Sequence, residues 1–250
     1  MRCDINCDLG EGFGTWTHGD DTALLAVVTS ANIACGFHAG DPSIMRATCE
    51  RAVAHGVSIG AHIGYHDLAG FGRREIAVAP ADLRDEALYQ IGALDAIAGA
   101  AGGTVRYVKP HGALYHSAAR DEAVADAIAA AVTAYHRELV ILGPANSRLH
   151  QAATAAGIGF RAEGFADRAY LGTGGLAPRS NPTAVLGADA AVQQALALAT
   201  TGRVATVDRG SIHIDVHSIC VHSDSPGAVA IARRIRNSLE DNDIRVEAFA

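Results

Sequence analysis

Six groups of titratable and amide side chains punctuate this 250-residue chain. They are Asp8 with Glu11; Asn32, His38 and Asp41; His62 with His66; Lys109 with His111; Glu163, Asp167 and Arg168; and His222 with Asp224. Carboxylates, imidazoles and an amine gathered in one cleft are the parts of acid–base hydrolysis. A carboxylate can deprotonate water, an imidazole can shuttle a proton or steady an oxyanion, and a cation can hold an anionic substrate. Each residue alone has a plainer explanation. Asp41 can simply cap a helix, Asp167 and Arg168 can pair and fix a loop, and His222 can be a hydrogen-bonded core residue. That all six groups are structural is the poorer account, because loops do not otherwise need such a density of titratable groups.

Other chemistries find less support. No Gly-x-Ser-x-Gly elbow presents a nucleophile. Gly10-Glu-Gly-Phe-Gly14 lets a backbone approach a ligand closely, but it lacks the lysine and hydroxyl of a phosphate loop. His62 and His66 have a spacing useful for two metal ligands on a helix, yet here they fall in a glycine-containing loop, where that spacing loses its geometric meaning. A divalent ion held with Asp8 stays open. No tightly bound transition metal is expected, since no Cys-x-x-Cys pair or helical histidine pair is present.

The elements that must position these groups repeat one grammar. Ser30 to Cys35 is a short apolar run, too short for a helix, that opens into Gly36-Phe-His-Ala-Gly-Asp41 and then Pro42. That is a buried strand, a polar turn and a helix, with Asp41 as cap and Pro42 at the first helical position; the helix stops at Gly56. Six further strands are expected at Cys3–Leu9, Val57–His62, Val105–Lys109, Leu139–Leu142, Gly159–Ala162 and Ser218–His222. Helices are expected over Asp20–Val28, Ala81 to about Ala101, Asp121 to about His136, from Asn146 to before Gly157, over Ala188 to about Thr201, and after the Ser225-Pro226 cap. Val204–Val207 and Ser211–Ile214 flank Asp208-Arg-Gly210 and read as a small hairpin insertion, and Leu171–Gly187 as a Gly/Pro-rich loop. In the first strand Cys3, Ile5, Cys7 and Leu9 alternate with Asp4, Asn6 and Asp8, so the polar residues share one face. On a barrel strand that face points inward, with Asp8 nearest the mouth. Seven strand–helix units with polar residues after nearly every strand predict an α/β fold: a seven-stranded parallel β/α barrel in one domain spanning residues 1–250.

Composition narrows the partners. Lys plus Arg is 20 against 27 for Asp plus Glu, a formal charge of −7, which argues against nucleic acid and anionic membrane. No apolar run reaches the length of a membrane span, and the N-terminus lacks a signal peptide's apolar core. Five scattered cysteines without a pairing motif read as reduced, buried fillers, and the chain as cytoplasmic.

The motifs carry a family resemblance. Asp4-Ile-Asn-Cys-Asp-Leu-Gly-Glu-Gly-Phe-Gly14, Ser30-Ala-Asn-Ile-Ala-Cys-Gly-Phe-His-Ala-Gly-Asp-Pro42, Ile59-Gly-Ala-His62, Gly70-Phe-Gly-Arg-Arg74, Val108-Lys-Pro-His-Gly-Ala-Leu-Tyr115, Glu163-Gly-Phe-Ala-Asp-Arg168 and Ile219-Cys-Val-His222 resemble the LamB/YcsF family along the whole chain. The resemblance implies a barrel similar to that of the glycoside hydrolases and deacetylases. It implies ATP-dependent opening of 5-oxo-L-proline (5-oxoproline) to L-glutamate, in a 5-oxoprolinase complex with partner subunits B and C, with ATP and magnesium serving through the complex. One departure stands out: the family reads His-Pro-Gly-Tyr-Pro-Asp where this chain has His62-Ile-Gly-Tyr-His66-Asp67, so His66 receives no family role.

On this reading Asp8, or alternatively Glu11, is the general base; His38, His62 or His111 shuttles protons or steadies the oxyanion; Lys109 or Arg168 holds a carboxylate or phosphate. Asn32, Asp41, Glu163, Asp167, Arg168, His222 and Asp224 are the candidate substrate-binding residues. Two alternatives stay beside it: a stand-alone metal-dependent amidohydrolase or deacetylase, and a non-catalytic chain that binds the lactam and presents it to a partner.

Overall fold

A computed structural model describes residues 1–135, 138–224 and 227–250. In chain order the strands are β1 (Arg2–Leu9), β2 (Ser30–Ala34), β3 (Ser58–Ile63), β4 (Val105–Pro110), β5 (Val140–Pro144), β6 (Gly159–Phe165), β7 (Arg203–Ala205), β8 (Ser211–His213), β9 (Ser218–Cys220) and β10 (Arg245–Val246). The helices are α1 (Asp21–Leu25), α2 (Pro42–Ala54), α3 (Pro80–Ala100), α4 (Gly112–Arg120), α5 (Glu122–Ala134), α6 (Arg148–Ala155), α7 (Ala188–Thr201) and α8 (Ala228–Glu240).

Seven strands pair in parallel in the order β1-β2-β3-β4-β5-β6-β9, and β9 pairs back onto β1, so the sheet closes. This is the expected seven-stranded parallel barrel. Short β10 adds to the start of β1, through Arg2 and Cys3, below the stretch from Asp4 to Asn6 that β9 covers. β7 and β8 pair antiparallel as the expected hairpin, outside the barrel. Among the described residues no helix is long and apolar enough to cross a membrane.

Closure explains the alternation in β1. A closed sheet has an outer face covered by helices and an inner face out of water, so both faces are buried. Cys3, Ile5, Cys7 and Leu9 are buried on one face, and Asp4 and Asn6 are buried on the other. Buried polar groups must find partners, and inside the barrel they find one another. At the base, Asp4 accepts hydrogen bonds from the hydroxyls of Thr29 (2.6 Å), Ser30 (2.7 Å) and Ser218, which joins β1 to the segments of β2 and β9. Above it, the Asn6 amide donates to Ser218 Oγ (2.7 Å) and the Asn32 amide donates to Asn6 Oδ1 (2.7 Å). The Tyr107 hydroxyl donates to Asn32 Oδ1 at 2.7 Å. A Cβ at Gly60 would stand 2.1 Å from the Tyr107 ring, so only glycine on β3 leaves room for that tyrosine.

Several elements depart from expectation for local reasons. The first helix ends at Leu25 rather than Val28, because Val27 and Val28 turn into the core and Thr29 N bonds Ile5 O. Helix α4 falls where no element was assigned: Gly112 to Arg120 is helical, and extended Asp121 ends it and caps α5 through the amides of Ala123 and Val124. β6 continues three residues past Ala162, because Gly164 and Phe165 pair with Ile219 and Cys220; Glu163 therefore lies in the sheet and not in a loop. β9 stops at Cys220, short of His222. Ser147, not Asn146, caps α6 through His150 N. The Ser225-Pro226 start and the helix end at His136 lie outside the described residues.

Removing the Asp4 carboxylate should weaken the base of the barrel. Asp4→Ala should cost about 3 kcal/mol, the scale for stripping the acceptor from several buried hydroxyls, read as a lower urea midpoint at unchanged slope. A loss under about 1 kcal/mol would show that the base closes without it.

Candidate active site

In a parallel barrel every strand delivers its carboxyl end to the same rim. Here that rim surrounds a cavity of about 330 Å³, of the size that takes a small molecule. Asp8, Glu11, His62, Lys109, His111 and His222 all reach it. They come from β1 and the turn after it, from β3, from β4 and the residue after it, and from the turn after β9.

Lys109 sits at the floor, with its side chain 2 % exposed. Its ammonium lies 3.0 Å from Asp8 Oδ1, 2.7 Å from Glu163 Oε1 and 3.3 Å from Asn6 Oδ1. Burial disfavours the charge, but Asp8 and Glu163 outweigh it and hold the lysine pKa well above its ordinary value. Burial likewise works against the Asp8 carboxylate, and His62 and Lys109 hold it well below the carboxylate range. Asp8 Oδ1 also accepts from the Asn32 amide at 2.7 Å, while Oδ2 lies 3.3 Å from His62 Nε2.

Beside this pair lies a layer of three histidines around Glu11. Glu11 Oε1 is 3.2 Å from His38 Nε2, 3.3 Å from His111 Nδ1 and 3.8 Å from His62 Nε2. His62 Nε2 and His111 Nδ1 are 3.0 Å apart. The His38 and His111 rings stack in parallel, 3.7 Å between centroids. Burial, with His111 alongside, pushes His38 down to about 3, so its imidazole is neutral. Glu11 is held below the carboxylate range despite burial, chiefly by the neighbouring His111 and His38. The glycines of the 70–74 loop permit this closeness. A Cβ at Gly72, whose φ is +63°, would stand 2.7 Å from the His111 ring and 2.8 Å from His38 Cβ.

The opposite wall is cationic. Arg168 donates to the carbonyls of Ala177 (2.7 Å) and Ala184 (3.3 Å) and so braces the Gly/Pro-rich segment over the mouth. Arg73 and Arg179 flank Asp224 Oδ2 at 2.7 and 3.6 Å, each partly exposed at the rim. His222 is set by Asp167, which lies 2.8 Å from its Nδ1 and accepts from its backbone N–H. Burial alone would keep His222 neutral, but the Asp167 carboxylate prevails and raises its pKa above the ordinary value.

The structure thus gathers all six residues expected to be catalytic, five of them lining the cavity and His38 directly behind Glu11. The expected binding set divides. Arg168, His222 and Asp224 line the cavity. Asn32, Glu163 and Asp167 stand behind it, bonding Asp8, Lys109 and His222 in turn. Asp41 is placed elsewhere: it caps α2 through the amides of Ser43 and Ile44 and accepts from Gly14 N, which is the plainer role its position before Pro42 allowed. His66 stacks on Phe37, 4.6 Å between centroids, outside the cavity wall. Arg73 and Arg179 were missed. Arg73 belongs to the charged Gly70-Phe-Gly-Arg-Arg74 run, which was a signal; Arg179 in the Gly/Pro-rich loop carried none. All five cysteines are buried and free, and Cys220 Sγ lies 3.4 Å from Lys109 Nζ.

Residues 3–250 match the model of the LamB/YcsF family. A protein of Nocardia farcinica, named as the A subunit of 5-oxoprolinase, is 62% identical over 249 residues, covering 100% of both chains. The crystal structure of a lactam utilization protein from Thermus thermophilus superposes with a TM-score of 0.94 at 41% identity, covering 100% of each chain. At 9% identity the catalytic domain of a peptidoglycan N-acetylglucosamine deacetylase from Eubacterium rectale superposes with a TM-score of 0.51 over 98% of this chain and 88% of that one, a likeness of fold alone.

The Asp167–His222 pair sets a pH dependence. A raised histidine pKa means the folded chain binds that proton more tightly than the unfolded one. The resulting stability is fully present below the ordinary histidine range and is lost as pH rises through the raised value. Asp167→Asn should bring the His222 titration midpoint down, read from its ring proton by NMR. An unmoved midpoint in a folded variant would assign the shift to another group.

Proposed function

The chain belongs to the LamB/YcsF family, and from that premise we propose that it is the lactam-opening component of a 5-oxoprolinase, its A subunit, acting on 5-oxo-L-proline to give L-glutamate. The observation that carries this reading is the polarity of the cavity. Asp8, Glu11, His62 and His111 form one side, and Arg168 and His222, with Arg73 and Arg179 at the rim, form the other. The substrate has the same division: a five-membered lactam at one end and one carboxylate at the other. The carboxylate goes to the arginines, where paired N–H donors match its geometry. The lactam carbon then faces the carboxylate–imidazole side.

Amides resist attack by water. Phosphorylation of the lactam oxygen makes the ring carbon electrophilic: water adds there, the ring nitrogen departs with a proton, and the acyl phosphate left behind is hydrolysed by a second water to L-glutamate and phosphate. We assign the phosphoryl transfer from ATP and magnesium to partner subunits B and C, because this chain carries no phosphate loop and no kinase-type set of glycine-rich loop, paired lysine and Asp-Phe-Gly. Its own residues handle water and protons. Asp8 Oδ2 orients the attacking water, and the imidazole beside it relays the proton. Lys109 Nζ lies 3.0 Å from Asp8 Oδ1 and pairs with it, which leaves Oδ2 to position water and not to serve as a free-standing general base. His222, oriented by Asp167 and with its proton held more tightly than usual, donates to the departing ring nitrogen.

Two measurements test this. The chain alone, given 5-oxoproline, ATP and magnesium, should release neither phosphate nor glutamate at a useful rate, and adding the partner subunits should restore both. Equal turnover by the lone chain would refute the division of labour. In the reconstituted complex Asp8→Asn should keep the fold and cut turnover by ~10²-fold or more; near-normal turnover would point to a chain that only binds and presents the lactam.

A further inference from the structure

The histidine layer has a feature that acid–base chemistry leaves unexplained. His62 Nδ1 lies 3.2 Å from the carbonyl oxygen of Lys109, and His111 Nε2 lies 2.8 Å from the carbonyl oxygen of Phe71. A carbonyl oxygen only accepts, so both of those ring nitrogens carry hydrogen. In the neutral rings the other nitrogens, His62 Nε2 and His111 Nδ1, therefore carry bare lone pairs. They face each other at 3.0 Å. Glu11 Oε1 closes on the same point at 3.3 Å from His111 Nδ1 and 3.8 Å from His62 Nε2, and Asp8 Oδ2 is 3.3 Å from His62 Nε2. Four electron-pair donors thus converge with no hydrogen of their own between them. Such a cluster holds together only around a positive charge, either a proton or a metal ion.

The spacing fits a metal ion. Ligands about 2.0–2.2 Å from a tetrahedral ion stand roughly 3.3–3.6 Å from one another. The three separations among His62 Nε2, His111 Nδ1 and Glu11 Oε1 are 3.0, 3.3 and 3.8 Å, which bracket that value. A proton would join one pair of donors, whereas a metal ion answers to all three at once; Glu11 Oε1 takes a hydrogen from His38 Nε2 in either case. Pinning the outer nitrogen of each ligand histidine to a backbone carbonyl is also how proteins orient histidines toward a metal. His38 fits as the group that steadies Glu11. With hydrogen on Nε2 it donates to Glu11 Oε1 at 3.2 Å, and its buried Nδ1, without a hydrogen-bond partner among the described residues, is left as an unmet acceptor rather than an unmet donor. All three proposed ligands line the cavity, so a fourth position opens toward the substrate.

We propose that His62 Nε2, His111 Nδ1 and Glu11 Oε1 form a site for one divalent first-row transition-metal ion, with Asp8 Oδ2 beside it and its open position on the cavity. Two imidazoles and a carboxylate suit zinc, iron or manganese and do not suit magnesium, which takes oxygen ligands. This proposal runs against the expectation that no such metal is tightly bound. That expectation looked for a cysteine pair or a helical histidine pair, whereas these ligands come from the ends of three strands. A metal here would lower the pKa of a bound water. The site stands on ligand geometry alone and does not depend on the identity of the lactam.

The test reads the metal itself. The full-length chain is purified without chelator and its zinc, iron and manganese are counted by mass spectrometry. It is then stripped and titrated with Co²⁺, following the visible d–d absorption of a low-coordinate site, with Zn²⁺ as competitor. One equivalent of metal per chain is expected. Glu11→Gln and His111→Ala, each checked for folding by circular dichroism and thermal melting, should each weaken binding by about 100-fold, while His66→Ala should leave it unchanged. A folded wild-type chain that takes up no Co²⁺ or Zn²⁺, or a folded Glu11→Gln chain that binds as tightly as wild type, would overturn the site. An NMR spectrum of the metal-stripped chain that does not change on adding Zn²⁺, with a proton shared between His62 and His111, would assign the cluster to an imidazolium pair instead. Lactam turnover is measured separately, so loss of that activity with metal binding intact leaves this site standing and counts only against the oxoprolinase reading.

Discussion

The Lys109 ammonium is a full charge placed inside a closed barrel, and much of the molecule is arranged around it. Charges are buried only when paired, and removing one partner of a buried pair costs about 3–5 kcal/mol. Asp8 and Glu163 supply the counter-charge from strands on either side of the interior. Two carboxylates against one ammonium leave an excess of negative charge, and the residues around it deal with that excess. The Asn32 amide donates to Asp8, and Asn32 is in turn fixed by the Tyr107 hydroxyl. Lys109 serves the site twice, because its backbone carbonyl faces His62 Nδ1 while its side chain holds Asp8. The acidity of Asp8 and the tautomer of His62 therefore have one source.

Below this level the interior is polar down to Asp4, so the barrel is filled by a hydrogen-bonded column as well as by hydrocarbon. The apolar core lies mainly outside the sheet, between the outward residues of the strands and the helices. This separates two tasks. The outer layer supplies burial with small aliphatic side chains, and the inner column fixes rotamers with directional bonds. A site that must hold several nitrogens and oxygens within a few ångströms needs the second kind of support.

The two sides of the cavity differ in how they are held. The carboxylate–imidazole side is built from strand ends and the residues next to them, and its members are buried. The cationic side is carried by loops: the 70–74 segment, the Gly/Pro-rich stretch braced by Arg168, and the turn after β9. Arg73 and Arg179 share Asp224 at the rim and stay partly exposed. Rigid elements thus hold the carboxylates and imidazoles, and loops hold the charges at the rim.

By itself the sequence determined the units of the fold and most of the side chains that meet at its rim. Strict alternation in β1 marked a strand with one polar face, and proline and aspartate marked where α2 begins, because such signals act over a few residues. The same local reach explains what it misplaced. A helix over 112–120 was hidden by the Pro110-His-Gly112 turn signal, and β6 continues through Glu163 only because β9 is there to pair with it. Tertiary structure alone decided the contacts. His62 and His111 are 49 residues apart, Asp167 and His222 are 55 apart, and Asp8 and Lys109 are 101 apart. No spacing encodes those meetings. They follow from strand register and from the closure of β9 onto β1, which turns seven separate strand ends into one rim. The same closure sent Asp41 to a helix cap, brought Arg179 in from a loop without a motif, and set three donors from different strand ends at distances that suit a metal ion.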